Sequence, residues 1–210
     1  MLSPRIRYLL LSSSLLYMLA CSPAYRQMQP AISEKSVLQK FKPIFGRALY
    51  RTNVDVVGNH LSGLLLIKKM PDSSLRLVFA NEMGFTFFDF EFAENGNFKV
   101  HSVMKQMNKK PVLKTLQKDF ELVLMQKLGD TAMDIRKNNG RIYYIFQQTK
   151  GYNYYITDSI GNTLIQMERA SKTKAIVEAI MKDYTDGIPD TIGITHKTFN
   201  FTIGLKRIVQ

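Results

Sequence analysis

The chain has 210 residues, 45% of them hydrophobic and 22% charged, which fits one domain with a sizeable core. Its formal net charge of +12 favours anionic surfaces, and its single cysteine excludes paired-cysteine motifs. The sequence also lacks the nucleophile elbow of hydrolases, the zinc-binding helix motif and the phosphate-binding loop.

Residues 1–20 have the organisation of an export signal peptide. Two arginines are followed by an apolar run over residues 8–19 and by a small residue, Ala20, directly before Cys21. This run is shorter than the ~20 apolar residues that a permanent membrane helix needs. Residues 18–21, Met-Leu-Ala-Cys, resemble the lipobox of bacterial lipoproteins. The resemblance implies cleavage before Cys21, diacylglycerol on its sulfur and a fatty acid such as palmitate on its amine.

Lipidation of Cys21 would anchor the chain, because two or more acyl chains give stable membrane attachment and one alone does not. The alternatives are an ordinary secretory leader with a coincidental cysteine, or an amino-terminal membrane anchor. The lone cysteine favours lipidation, because an unpaired thiol is a liability in an oxidising compartment. Residues 22–25 carry no acidic sorting signal. By resemblance to such signals, this implies the outer membrane, facing the periplasm.

The expected partner of the basic charge is a lipid surface. An exported lipoprotein rarely meets nucleic acid, so we expect no nucleic-acid partner. Anionic lipid or glycolipid headgroups are the expected counterpart, and a basic surface that serves solubility alone is the alternative. No second long apolar run follows Cys21, so the rest of the chain is expected to lie outside the membrane.

Residues 21–43 are predicted to be a tether, because Pro23, Pro30 and Pro43 discourage regular structure. A short amphipathic helix over residues 33–41 is compatible with this segment. Residues 44–210 are then expected to form a single domain.

Antiparallel strands dominate the predicted domain. Alternation of period two predicts strands joined by short turns, with a turn at Gly58-Asn59 after the first. The predicted strands cover residues 46–57, 60–69, 75–81, 85–92, 98–104, 131–137, 141–148, 152–157, 162–168, 191–196 and 199–208. Residues 172–184 fit both helical spacing and alternation, and we predict a strand because the neighbouring elements are strands.

A helix is predicted over residues 111–128, where the apolar residues fall at helical spacing. Pro111 suits its first turn and Gly129 its stop. Such a helix has to cover an apolar sheet face. The sequence therefore predicts a mainly β fold, a curved antiparallel sheet covered by a central helix.

The carboxyl-terminal layout points to a family. Tyr184 is followed by a proline-containing strand over residues 188–194 and a last strand with Phe201 and Leu205. With the lipobox and the central helix, this layout resembles the lipoprotein localisation factors, the LolA/LolB-like proteins. The resemblance implies an open half-barrel with an apolar concavity that accepts acyl chains. It also implies a membrane-inserting loop, for which residues 83–85 are the nearest candidate and a plain hairpin turn is the alternative.

The candidate ligand site is an apolar concavity under the helix. Aromatic residues on successive positions place apolar groups on both sheet faces, so one set has to meet something other than solvent. The alternative to a lipid cavity is a core that the helix fills. The expected lining residues are Phe88, Phe90 and Phe92 from one strand, with Leu116, Phe120 and Val123 from the helix.

Five lysines cluster where the helix is approached and along its outer side. They are Lys105, Lys109, Lys110, Lys114 and Lys118. Cations at a helix amino end oppose the helix dipole, so a role toward anionic headgroups or an anionic membrane surface is the hypothesis for this cluster.

We expect no catalytic site, no metal and no cofactor. The three histidines, His60, His101 and His196, lie far apart in sequence. Asp89 and Glu91 share one face of a strand, which favours a solvated pair over the alternative of a groove floor with two acids.

The sequence thus predicts a non-enzymatic outer-membrane lipoprotein that binds an acyl chain or a lipidated protein. The first rival is a structural or accessory lipoprotein that binds an envelope protein through its sheet. A periplasmic hydrolase of an unrecognised type is the second rival.

Overall fold

The structure, a computed structural model, describes residues 25, 27–126, 128 and 133–209. Cys21 and the predicted signal peptide lie outside this part of the chain. Within it are two helices, α1 (Ser36–Gln39) and α2 (Lys110–Val123). The strands are β1 (Gln29–Pro30), β2 (Arg47–Val56), β3 (Asn59–Lys69), β4 (Leu75–Ala80), β5 (Thr86–Phe92), β6 (Phe98–Val103), β7 (Met133–Asn138), β8 (Arg141–Gln147), β9 (Tyr152–Asp158), β10 (Leu164–Ala170), β11 (Ala175–Thr185), β12 (Ile188–His196) and β13 (Phe201–Arg207).

All thirteen strands form one open antiparallel sheet in the order β1-β7-β8-β9-β10-β11-β12-β13-β2-β3-β4-β5-β6. Two meanders, β2 to β6 and β7 to β13, are joined because the last strand pairs with β2, Ile203 opposite Val54. The predicted fold class, a curved half-barrel covered by a central helix, is confirmed. The ambiguous segment 172–184 is a strand, as predicted.

The concave face of the sheet carries the core. In β2, the alternating residues Ala48, Tyr50, Thr52 and Val54 are all buried, while the residues between them face outward. This is the period-two pattern of a strand with one buried face. The same alternation buries Leu65 and places its neighbours on the convex face.

Phe87 lies on the concave face together with Phe88, although adjacent strand residues normally point to opposite faces. The β4 to β5 register shifts at this point, since Phe79 pairs with Phe88 and Ala80 pairs with Thr86. Phe87 is therefore the extra residue of a β-bulge. Its ring lies 4.7 Å from that of Phe79, and both side chains are buried.

Helix α2 begins at Lys110, with Pro111 in its first turn as predicted, but it ends five residues before the predicted residue 128. The reason is Met125, whose φ of 51° is left-handed and ends the helix. The apolar side of α2 is buried, including Leu116, Phe120 and Val123. The helix lies against β10 and β11.

The described part of the predicted tether packs against the domain, which differs from the prediction. Gln29 and Pro30 pair with β7 as an edge strand. Beyond them, helix α1 buries Leu38 completely, and Phe41 is 9% exposed. The Ser33 hydroxyl lies 2.7 Å from the hydroxyl of Tyr144 on the concave side. The apolar residues of this segment therefore extend the core. The prediction of a tether considered the prolines and did not anticipate this packing.

Among the described residues, no helix is long and apolar enough to span a membrane.

Candidate functional site

A cavity of about 740 Å³ lies between the sheet and the amino-terminal half of α2. Ligand pockets have volumes of roughly 300–1,000 Å³. The wall from the sheet comes from β2, β3, β4, β5 and β13, and the wall from α2 comes from Pro111, Val112, Thr115, Leu116 and Phe120. Among the described residues, no charged side chain lines the cavity, and the polar lining residues are Thr52, Asn59, Gln106 and Thr115. The cavity therefore suits an apolar ligand.

The exposure of the lining residues shows where the cavity opens. Its floor is fully apolar and buried, with Leu65 at 0%, Phe79 at 1% and Phe120 at 2% exposure. The opening, which we call the mouth, is bordered by the exposed residues Val57, Asn59, Gln106, Pro111 and Phe199. The mouth thus lies where α2 begins, beside the turn that joins β2 to β3.

That turn has an unusual residue at its first position. Val57 and Gly58 form a two-residue hairpin loop with φ angles of 45° and 79°, not the predicted turn at Gly58-Asn59. Both residues of such a turn need positive φ, which favours Asn, Asp or Gly and disfavours a β-branched side chain. Val57 is nevertheless 69% exposed, so no core packing compensates for its strain.

The structure brings together only part of the predicted lining set. Phe88, Leu116 and Phe120 line the cavity. Phe90, Phe92 and Val123 are also buried, but they pack in the filled core next to it, where the Phe88 and Phe90 rings stack at 4.3 Å. One part of the concavity is therefore filled by core side chains, and the other part is the open cavity.

Sequence reasoning missed the sheet wall of the cavity. Val54, Leu61 and Ile203 lie in the wall that faces α2. The alternation in β2 indicated a buried face, but nothing local indicated that β13 is its neighbour. The apolar spacing of Phe201 and Ile203 was the remaining signal.

The predicted lysine cluster lies beside the mouth. Lys105, Lys109, Lys110 and Lys114 are exposed, and Lys118 is half-buried on the next turn of α2. Lys109 occupies the N-cap position without a side-chain hydrogen bond, and the first turn of α2 contains no acidic residue. This end of the helix is therefore strongly cationic.

A buried ionic cluster fixes the other half of α2. Asp119 is fully buried, and its carboxylate lies 2.9 Å from Nη1 of Arg169 in β10 and 2.8 Å from Nε2 of His196 in β12. Nδ1 of His196 has no hydrogen-bond partner among the described residues. These contacts tie α2 to two strands, and the cavity lies under its amino-terminal turns.

The two predicted surface carboxylates lie outside the cavity. Asp89 accepts two hydrogen bonds from Arg76, at 2.8 Å and 2.7 Å, on the convex face. Glu91 lies 2.6 Å from Nε2 of His101. The paired convex arrangement matches the prediction of a wet side, and neither residue lines the groove floor. His60 pairs separately with Asp55, so each histidine has its own carboxylate.

The candidate insertion loop is a hairpin turn between β4 and β5. Met83 is 92% exposed and Phe85 is 53% exposed. The side chain of Asn81 accepts hydrogen bonds from the backbone N–H groups of both residues, at 3.1 Å and 2.8 Å. The loop is thus a turn that the Asn81 side chain fixes by hydrogen bonds, with apolar side chains at its tip.

A second apolar cluster lies on the convex face of β8 to β10. Tyr25 stacks on Tyr154 with ring centroids 4.5 Å apart and a 7° angle between the rings. Its hydroxyl donates to Oε2 of Glu168 at 2.5 Å. Burial raises the pKa of Glu168, although the hydrogen bond from Tyr25 opposes that rise. Tyr25 therefore holds the amino-terminal segment to the outer face of the sheet.

Within the described ranges, no group of three or more His, Cys, Asp or Glu side chains could hold a metal ion.

A scan of protein-family models and a search of curated proteins give no match to this chain. Among solved structures, the chain is similar to a domain from Vibrio parahaemolyticus described as an outer membrane lipoprotein-sorting protein. The identity is 9%, over 83% of this chain and 90% of that domain, and the TM-score is 0.45. It is also similar to a DUF1329 family protein from Desulfovibrio piger, with 7% identity over 82% of this chain and 87% of that chain and a TM-score of 0.44.

Proposed function

We propose that this protein is a non-enzymatic lipoprotein that binds an acyl chain, free or attached to a protein, in the cavity under α2. The observation that carries the proposal is an open cavity of about 740 Å³ whose floor is wholly apolar. An acyl chain bound there removes apolar surface of the cavity and of the chain from water, which is favourable by roughly 25 cal/mol per Å².

The anchor in this proposal is a lipidated Cys21, which would hold the domain at the outer membrane, facing the periplasm. The sequence supports it through the leader, the lipobox and the absence of other cysteines. Mass spectrometry of the full-length protein extracted from membranes tests the modification. A mature terminus at Cys21 carrying three acyl chains supports the anchor, and an unmodified Cys21 thiol contradicts it.

The ligand site is tested on residues 22–210, which include every described strand and helix and Tyr25. Saturable displacement of a fluorescent fatty acid is the expected result. An absence of saturable binding favours the rival, an envelope lipoprotein that binds a partner protein through its sheet. Cooperative thermal unfolding of the same sample verifies that the chain is folded.

The chain has no tryptophan, so a single introduced tryptophan reports the position of the acyl chain. Leu61 lines the cavity from β3, and Leu64 on the same strand does not. A bromine-labelled fatty acid is expected to quench the fluorescence of the Leu61→Trp variant and to leave that of the matched Leu64→Trp variant unchanged. Equal quenching of both variants contradicts binding in the cavity.

A further inference from the structure

The two sides of the mouth differ in chemistry. One side, which we call the apolar lip, consists of Val57 and Phe199, which are 69% and 45% exposed. The other side, the cationic lip, consists of the exposed residues Lys105, Lys109 and Lys110. These lysines lie along the chain between or directly beside Gln106 and Pro111, which themselves border the mouth.

No acidic residue balances the cationic lip within its own segment. Residues 104–118 contain five lysines and neither Asp nor Glu. Two of the lysines, Lys109 at the N-cap position and Lys110 as the first residue of α2, lie where the positive end of the helix dipole disfavours cations. The position of Lys109 and Lys110 therefore costs stability, and an anionic group bound beside them would offset that cost.

The apolar lip also contains backbone strain, at Val57, that core packing does not offset. Val57 is held at a positive φ that a β-branched side chain disfavours, yet its side chain is exposed beside the cavity. Backbone strain of this kind persists where it serves a function. At the mouth of the cavity, the exposed Val57 side chain would contact the acyl chain of a ligand as the chain enters.

We propose that the ligand is an anionic amphiphile, with its acyl chain on the apolar floor and its carboxylate or phosphate at the cationic lip. This inference rests on the proposed function and adds the class of headgroup. A cationic headgroup would meet like charges at Lys105, Lys109 and Lys110, and an uncharged one would leave them without an anion.

The same anionic chemistry occurs in fatty acids and in lipid phosphates, so the test uses both without any membrane present. Dodecanoate, dodecanol and dodecylammonium compete against a fluorescent fatty acid on residues 22–210 at a pH that ionises the carboxylate. A single-chain phospholipid with a phosphoglycerol head is compared with one that has a phosphocholine head.

The expected result is that the anion binds about tenfold tighter than the uncharged probe, as one or two screened cation contacts would give. Dodecylammonium is expected to bind most weakly. A preference in the fatty-acid series identifies a carboxylate, and one in the phospholipid series identifies a lipid phosphate. Both support the inference.

A triple variant, Lys105→Gln, Lys109→Gln and Lys110→Gln, should lose this preference and keep its affinity for dodecanol. The matched control, Lys150→Gln, Lys172→Gln and Lys174→Gln, removes the same charge from exposed turns outside the cavity and should keep the preference. Equal loss in both variants contradicts the local assignment.

Failure of the inference and failure of the proposed function give different results. If the folded chain binds dodecanoate and dodecanol equally, the headgroup inference is overturned and the acyl-chain site stands. If it binds none of the probes, both are overturned.

Discussion

Val57 and Asn139 occupy the same position in two hairpin turns of this sheet, with nearly equal φ angles of 45° and 48°. Each is followed by a glycine at positive φ, Gly58 and Gly140, in a two-residue loop. Asn139 has the residue type that such turns favour, whereas Val57 has one that they disfavour. The difference between the two turns lies in their location, because only Val57 borders the cavity.

We expect Val57→Asn to raise the free energy of unfolding by about 1 kcal/mol, since it relieves backbone strain and loses little burial. It should at the same time weaken acyl-chain binding, because the apolar lip becomes polar. Urea unfolding and fatty-acid displacement measure the two effects. The reciprocal control, Asn139→Val, should lower stability and leave binding unchanged. A loss of stability in Val57→Asn contradicts the assignment of strain.

Removal of the buried carboxylate should be far more costly than removal of an exposed one. Asp119→Ala leaves Arg169 buried without its partner and should lower the free energy of unfolding by about 3–5 kcal/mol. Asp134 pairs with Arg136 on the surface, so Asp134→Ala should cost about 0–1 kcal/mol. Urea unfolding of both variants makes the comparison. Similar losses would contradict a structural role for the buried cluster.

Tyr25 should stabilise the domain through two separable contacts. Tyr25→Phe keeps the stacking on Tyr154 and removes the hydrogen bond to Glu168, which should cost about 1–3 kcal/mol. Tyr25→Ala should lower stability further, because it loses the buried area of the ring and, beyond that, the stacking contact with Tyr154, which is worth about 0.5–1.5 kcal/mol. Chemical unfolding of residues 22–210 measures both. As a control, Tyr152→Phe should leave stability nearly unchanged, because it keeps the ring contact with Tyr154 and the Tyr152 hydroxyl makes no hydrogen bond among the described residues.

Glu168 should make stability depend on pH. Burial raises its pKa in the folded state, so its contribution is greatest below its unfolded pKa of about 4.3 and declines as the pH rises through the folded pKa. The stability of the wild type relative to Glu168→Gln should therefore fall between acidic and neutral pH. Unfolding of both proteins across this range measures the difference. A stability difference that stays constant with pH would show that burial does not shift the pKa of Glu168.

Local alternation predicted the strands well, because one face of each is buried and the other is wet. In β2, the buried set from Ala48 to Val54 follows directly from that pattern. The bulge at Phe87 and the helix stop at Met125 could not be read in the same way. The bulge is a shift in the pairing with β4, and Met125 adopts a left-handed conformation that its residue type does not favour.

The candidate site was predicted in part for a related reason. Leu116 and Phe120 were identified because helical spacing places them on one side of α2. Helical or strand spacing does not tell which buried residues fill space and which leave it empty, so Phe90 and Phe92 could not be separated from Phe88. Contacts between distant segments, such as Tyr25 with Glu168, have no local signal at all.

The pairing of β13 with β2 has a consequence for biogenesis. β13, the last of the described strands in chain order, occupies an interior place between β12 and β2, so neither meander can complete its hydrogen bonding until Arg207 has emerged. Until then, β2 and β12 are edge strands with unpaired backbone N–H and C=O groups. Such edges can pair wrongly with other chains. A premature stop before residue 201 would leave that vulnerability permanent.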